Sequence, residues 1–321
     1  MLACLARVDS PSGNETAFFD YLSGLLQEMS FLIQYDDYGN MIAHRRGKDN
    51  REPILFAFHG DKVSNGNEIE AIIEDGYIVS NGMNSLGADN KAGIACLLTV
   101  LQKREIDEPV EILITRMEEE GFIGARNLDR TMIKATVGIT MDGGNVGEIT
   151  ISSKYWTSIA MKSDSKKEEL EDKLKSWAAV KNHAIWFNKS ACTGYDLEMN
   201  LLTCESDNDE IIEEIIRQTK SIKQRVTRKC PGFSIPIDHA IVKLAIDSIA
   251  DLGFEPKIVY DEISPEVCIL NSKGIQCINI GDGVINEHEL NEKVLISDLE
   301  KNCVIISNIL DKYKHRTTAS T

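Results

Sequence analysis

The sequence contains no run of about 18–20 consecutive apolar residues, so nothing in it reads as a bilayer-spanning helix. It has no CxxC pair and no clustering among its cysteines at 4, 96, 192, 204, 230, 268, 277 and 303. Several of these sit in apolar runs, such as Cys96 in GIACLLTVL and Cys303 in NCVIIS. That usage predicts buried, reduced thiols rather than a disulfide framework, and a cytoplasmic location. The start is apolar only from Met1 to Val8 before turning polar at Asp9–Gly13, which is too short for a signal-peptide core. No internal repeat and no low-complexity tract is present. Positive charge is scarce: 35 Lys and Arg stand against 51 Asp and Glu, a net of −16. Such a field repels phosphate backbones and anionic lipid heads, which argues against nucleic acid and membrane surfaces as partners.

What is present is a globular chain of 321 residues, 42% hydrophobic and 27% charged, long enough for two domains. Residues 15–29 place Phe18, Leu22, Leu25 and Met29 on one helical stripe. Short, continuously apolar strands are predicted at 54–58, 110–115, 137–141 and 275–280. A hairpin is read in 68–80, and helices at 90–104, 239–252 and 297–313. Gly253 is the expected cap of the second of these helices, and Ser297-Asp-Leu-Glu300 the capping box of the last. This alternation predicts an α/β fold with a mixed sheet flanked by helices. The middle, 153–232, reads strand-helix-strand-strand-helix-strand, the split pattern of an inserted ferredoxin-like α+β domain. The catalytic domain is then discontinuous, 1–152 and 233–321.

Each apolar strand is followed within three residues by an acid or a histidine. In open α/β sheets, sites form beyond the carboxyl ends of the strands. Together His59, Asp61, Asp89, Glu118, Glu119, Asp142 and His288 make a set suited to a two-metal hydrolytic site, which needs imidazole and carboxylate ligands, one bridging carboxylate and a free base. In His59-Gly-Asp61, positions two apart on an extended segment share a face, so Asp61 can accept the second imidazole N–H. Glu118 and Glu119 point differently, so one can bind metal while the other faces the attacking water. Taken singly, each of these segments is also explained by a turn or a solvated face.

The segments Ser10-Pro-Ser-Gly-Asn-Glu15, His59-Gly-Asp61, Ser85-Leu-Gly-Ala-Asp-Asn-Lys-Ala-Gly-Ile94, Glu118–Asp129, Asp142–Glu148 and Gly281–Glu292 occur in an order that resembles the dizinc exopeptidase family of peptidase T, aminoacylase and succinyl-diaminopimelate desuccinylase, nearest its peptidase T-like branch. The resemblance implies that His59 and Asp142 hold one zinc, that Glu119 and His288 hold the other, and that Asp89 bridges them. It further implies that Asp61 orients His59 and that Glu118 is the general base toward a metal-bridging water. Cobalt or manganese could replace zinc. It also implies a cis peptide between Asp89 and Asn90 and a homodimer formed through the inserted lid. The implied substrate is a small peptide, with an N-acyl amino acid deacylase and an inactive ligand-binding relative as alternatives. The chain departs from the family in the lid, where Met161-Lys-Ser-Asp-Ser165 lacks a histidine and no asparagine-bearing Gly-Gly segment is recognisable, and at Glu262-Ile-Ser-Pro-Glu266 in place of a Gly-Gly-x-Asp segment. His183 and His239 are candidate replacements for the missing imidazole. Arg225, Arg228 and Lys229 read either as a carboxylate-binding cluster or as a solvated strand end.

Overall fold

The structure, a computed structural model, describes the chain except residues 49, 65–68, 106, 163–165, 182, 189–193, 204–208, 220–222, 261–264 and 315–321, and the side chains of 227–229 and 265. Parts of the Met161–Ser165 and Glu262–Glu266 segments, Cys192, Cys204 and the side chains of Arg228 and Lys229 therefore lie outside the described residues. The chain forms two compact units, one of Met1–Ile151, Ile235–Tyr260 and Ile269–Thr321, the other of Ser152–Ser234 with Asp261–Cys268.

The first unit is built on an eight-stranded mixed sheet in the order Leu32–Tyr35, Met41–Arg45, Val110–Thr115, Ile54–His59, Val137–Thr140, Gln276–Ile280, Glu148–Thr150 and Lys257–Val259. Its four central strands, from Val110–Thr115 to Gln276–Ile280, run parallel to one another. Ile54–His59 and Val110–Thr115 are buried at every position, which accounts for their unbroken apolar sequences. The helices Ala88–Lys103 and Ile296–Lys314 pack against each other, and Ala240–Ala250 packs on the latter. A second, four-stranded sheet contains the hairpin Ala71–Glu74/Tyr77–Ser80 together with Lys293–Leu295 and Val284–Ile285.

The last helix starts at Ile296, directly after a strand, so Ser297 lies inside its first turn and is not its cap. Helix Ala88–Lys103 starts two residues earlier than the sequence suggests, with Asp89 and Asn90 in non-helical backbone and a cis peptide between them, as the resemblance implied.

The second unit has four strands, Tyr155–Lys162, Ala184–Phe187, Leu197–Thr203 and Lys223–Cys230, with helices Lys167–Lys181 and Asp209–Thr219. The spatial order is second, third, first, fourth, and every neighbour is antiparallel, the ferredoxin-like arrangement. Its core joins Ile159, Met161, Leu174, Met199, Leu201 and Ile215.

Candidate metal centre

The four parallel strands end side by side. His59 is the last residue of its strand, Glu118 and Glu119 follow Val110–Thr115, Asp142 follows Val137–Thr140, and the loop bearing His288 follows Gln276–Ile280. Asp89 enters from the first turn of its helix. In His59-Gly60-Asp61 the small residue is required by packing: a Cβ on Gly60 would lie 2.2 Å from Phe19 Cε1.

Ligand atoms of His59, Asp89 and Asp142 lie within 4.8 Å of one another, and so do those of Asp89, Glu119 and His288. A third such group joins His59, Glu118 and Glu119. Asp89 is common to the first two. Its Oδ1 lies 3.0 Å from His59 Nε2 and its Oδ2 lies 2.9 Å from His288 Nε2. His288 Nε2 is also 3.0 Å from Glu119 Oε1. His59, Asp89 and Glu118 are buried, and His288 is about half exposed, with φ +67. A non-glycine residue in that region costs on the order of 1–3 kcal/mol and persists where its surroundings fix it.

The charge balance shows what this donor set fits. Asp89, Glu118, Glu119 and Asp142 outnumber the two imidazoles, in surroundings that water screens poorly. Burial alone would depress the His59 imidazolium, but the Asp89 charge and hydrogen bonds to Asp61 and Asp89 outweigh it and hold it well above its usual range. Hydrogen bonds to Asp89 and Glu119 raise His288 to about 11. Burial works against the Asp89 anion, yet the two imidazoles hold it far below the carboxylate range. Positive charge is demanded between these groups, and imidazole with carboxylate is the donor mix that divalent cations take.

The surrounding residues position this set. Asp61, fully buried, accepts from Ser12 Oγ at 2.6 Å, from the Glu118 N–H at 2.9 Å and from the Glu119 N–H at 3.1 Å. His59 Nδ1 is closer to the Asp61 carbonyl, at 3.1 Å, than to its carboxylate, at 3.5 Å. Asp61 thus fixes the backbone of Glu118 and Glu119 as well as facing His59. Asn279 brackets the Asp142 residue, accepting from its N–H at 2.9 Å and donating to its carbonyl at 2.6 Å.

Two acids act here that residue spacing did not single out. Buried Glu15 accepts from the Gly13 and Met117 N–H groups and pairs with Arg116 at 2.7 Å, anchoring the segment that leads into Glu118. Buried Glu292 accepts from the Gly87 N–H at 2.8 Å and the Asp89 N–H at 2.9 Å, straddling the turn that presents Asp89. The signal available was an acid trailing His288 by four positions.

The histidines proposed as lid substitutes have other contacts. His239 caps the helix Ala240–Ala250, its Nδ1 accepting from the Ile241 N–H at 3.3 Å. The His183 ring packs against Trp177 with centroids 5.5 Å apart. Arg225 is exposed. Among the described cysteines Cys96, Cys230, Cys268 and Cys277 are buried, whereas Cys4 is exposed.

A model of Peptidase family M20/M25/M40 matches residues 55–312. Protein YqjE of Bacillus subtilis is 24% identical, covering 96% of this chain and 96% of its own. A peptidase T of Exiguobacterium sp. is 25% identical, covering 76% of this chain and 70% of that one. The solved structure of a tripeptidase from Staphylococcus aureus superposes with a TM-score of 0.82 at 23% identity, over 98% of this chain and 97% of the other, and so shares the fold. No helix among the described residues is long and apolar enough to cross a membrane. The chain belongs to peptidase family M20/M25/M40, as a metallopeptidase of its peptidase T-like branch.

Proposed function

We propose that this chain is a cytoplasmic two-metal exopeptidase of the tripeptide-aminopeptidase kind, acting on short peptides. The observation that carries the reading is Asp89, whose two carboxylate oxygens each meet an imidazole Nε2 from opposite ends of the chain. A carboxylate so flanked suits two divalent ions that share it. His59 and Asp142 would complete one position, and Glu119 and His288 the other. Zinc fits the imidazole and carboxylate mix best, with cobalt and manganese as its competitors. When bound, such ions polarise the scissile carbonyl and make water more acidic.

The chain's own residues do the rest. His59 keeps its proton on Nδ1, shared between the Asp61 carbonyl and carboxylate, which leaves the Nε2 lone pair for a metal. Glu118 is the general base: its carboxylate takes a proton from the attacking water and returns it to the leaving amine nitrogen. Its backbone is held by Asp61, which keeps the carboxylate aimed while the proton moves. Residues 153–232 serve as a lid and as the surface for a homodimer.

Glu118→Gln tests the reading, because it keeps the shape and removes the acceptor. We expect kcat to fall by about 10²–10⁴-fold with metal content near wild type. Loss of the metals instead would make Glu118 a ligand and exchange its role with Glu119. A panel of free-amine di- and tripeptides against N-acyl amino acids, each with zinc, cobalt and manganese, identifies the substrate. Turnover confined to N-acyl compounds would make the chain a deacylase, and no tightly held metal would make it a non-catalytic binder.

A further inference from the structure

We propose that Cys96 and Cys303 form a reversible disulfide that clamps the helix Ala88–Lys103 to the helix Ile296–Lys314. The two helices pack against each other within the first unit. Each sulfur lies against the backbone of the opposite helix. Cys96 Sγ donates to the Leu299 carbonyl at 3.5 Å, and Cys303 Sγ donates to the Cys96 carbonyl at 3.8 Å. The two residues thus face each other across the helix contact, Cys303 Sγ against the Cys96 carbonyl itself and Cys96 Sγ against the carbonyl one turn before Cys303. Side-chain rotation at this contact brings the sulfurs to the roughly 2.05 Å S–S bond length.

The two cysteines are unequal in a way that orders the chemistry. Cys96 is buried, while Cys303 is partly exposed and open to a small oxidant. The neighbouring Cys303 sulfur and burial push the Cys96 thiol up, whereas the Cys96 sulfur and the nearby Lys103 ammonium outweigh burial and hold the Cys303 thiol below its usual range. Cys303 is therefore the attacking thiolate and Cys96 the resolving thiol. With a peroxide as oxidant, the Cys303 thiolate displaces hydroxide from the O–O bond and becomes a sulfenic acid. The Cys96 thiol then attacks that sulfur, forming the S–S bond and releasing water. The pair loses two electrons, and one hydrogen peroxide becomes two waters. A dithiol reductant reverses the change by thiol–disulfide exchange.

The clamp joins two parts of the metal centre frame. One helix opens on Asp89, and the other follows, through the strand Lys293–Leu295, the loop that carries His288 and Glu292. The bond closes a loop of roughly 200 residues, a length at which cross-links restrict the unfolded chain strongly.

The test uses the full chain loaded with metal. It is treated with hydrogen peroxide, free thiols are blocked with N-ethylmaleimide under denaturing conditions, and the protein is digested with trypsin. We expect the peptide 92–103 joined to 302–312, and a Tm raised by roughly 5 °C or more, both reversed by dithiothreitol. Cys303→Ser should give neither. Since Cys96→Ser alters a packed helix contact, the cross-linked peptide in the unmutated chain is the primary readout. Recovery of Cys303 as sulfinic acid with Cys96 alkylated would overturn the proposal and leave a plain buried thiol contact. A cross-link that leaves Tm unchanged would overturn the clamp.

Discussion

Asp61→Asn separates the part Asp61 plays beneath Glu118 and Glu119 from its part beside His59. The amide keeps the shape of the side chain but must point one N–H₂ where an oxygen stood. If Nδ2 replaces Oδ1, it faces the Glu118 N–H, donor against donor. If it replaces Oδ2, the Ser12 hydroxyl can turn and accept from it, and only the Glu119 N–H is left opposing a donor. The second orientation is the cheaper and should be adopted. One buried N–H is then orphaned, at about 1–3 kcal/mol, and the bond kept by Glu118 loses its charge assistance, about 1 kcal/mol more. Relief of desolvation offsets little of this. Burial opposes the Asp61 anion, but His59, Ser12 and the Glu118 N–H outweigh it and hold the carboxyl below its usual range. The expected loss is about 2–4 kcal/mol, read in urea titrations of metal-free protein as a lower midpoint at unchanged slope. A lowered carboxyl contributes stability at neutral pH that disappears in acid, so the gap between variant and wild type should narrow below about pH 4. Because Glu119 is the residue released, metal content should fall too. A midpoint within about 0.5 kcal/mol of wild type, with full metal content, would refute the reasoning.

Glu292→Gln leaves one acceptor for the Gly87 and Asp89 N–H groups, so metal affinity, measured by competition with a chelator, should weaken by roughly 10–100-fold; unchanged affinity would remove Glu292 from the frame. His239→Ala should cost about 0.5–2 kcal/mol through the lost cap and leave kcat alone, with Asn restoring stability; a 10²-fold fall in kcat with folding intact would instead return His239 to the reaction. Burial, the Asp89 charge and its acidic neighbours raise Glu287 to about 7, so the folded metal-free chain binds this proton more tightly than the unfolded one. Its stability should fall as pH rises from about 4.5 to 7, and Glu287→Gln should flatten that slope in thermal melts across the range.

The central strands were legible because a parallel strand covered on both faces must be apolar throughout, as Ile54–Phe58 is. The placement of His59 at a strand end, and of Glu118, Glu119 and Asp142 beyond theirs, followed from the same pattern, since the turn comes where the apolar run stops. Edge strands such as Lys257–Val259 carry no such signature; they are short and partly exposed, and sheet pairing alone defines them. Glu15 and Glu292 were hidden for another reason. A carboxylate that clamps backbone N–H groups 102 or 203 positions away has the same local sequence as a solvated one. His239 is the opposite case, because an unassigned imidazole invites a chemical reading while its contact is a helix end two residues on. The Ser297 motif has the letters of a capping box, but the preceding strand hands the chain straight into the helix and leaves no cap position for it.

The neck of the excursion Ser152–Ser234 has a consequence for how this chain can diverge. Ser152–Ser153 pairs antiparallel with Phe233–Ser234, and just outside it the Ile235 N–H donates to the Ile151 carbonyl at 2.8 Å. The excursion is zipped shut where it begins and ends, so the chain enters and leaves it through one closed stem. Closing a longer loop on such a stem costs only about 0.6 kcal/mol for each doubling of its length. Length changes in the loops beyond the stem therefore cost its closure little. Those loops can be lengthened or trimmed while the spacing around Asp89 stays under separate selection.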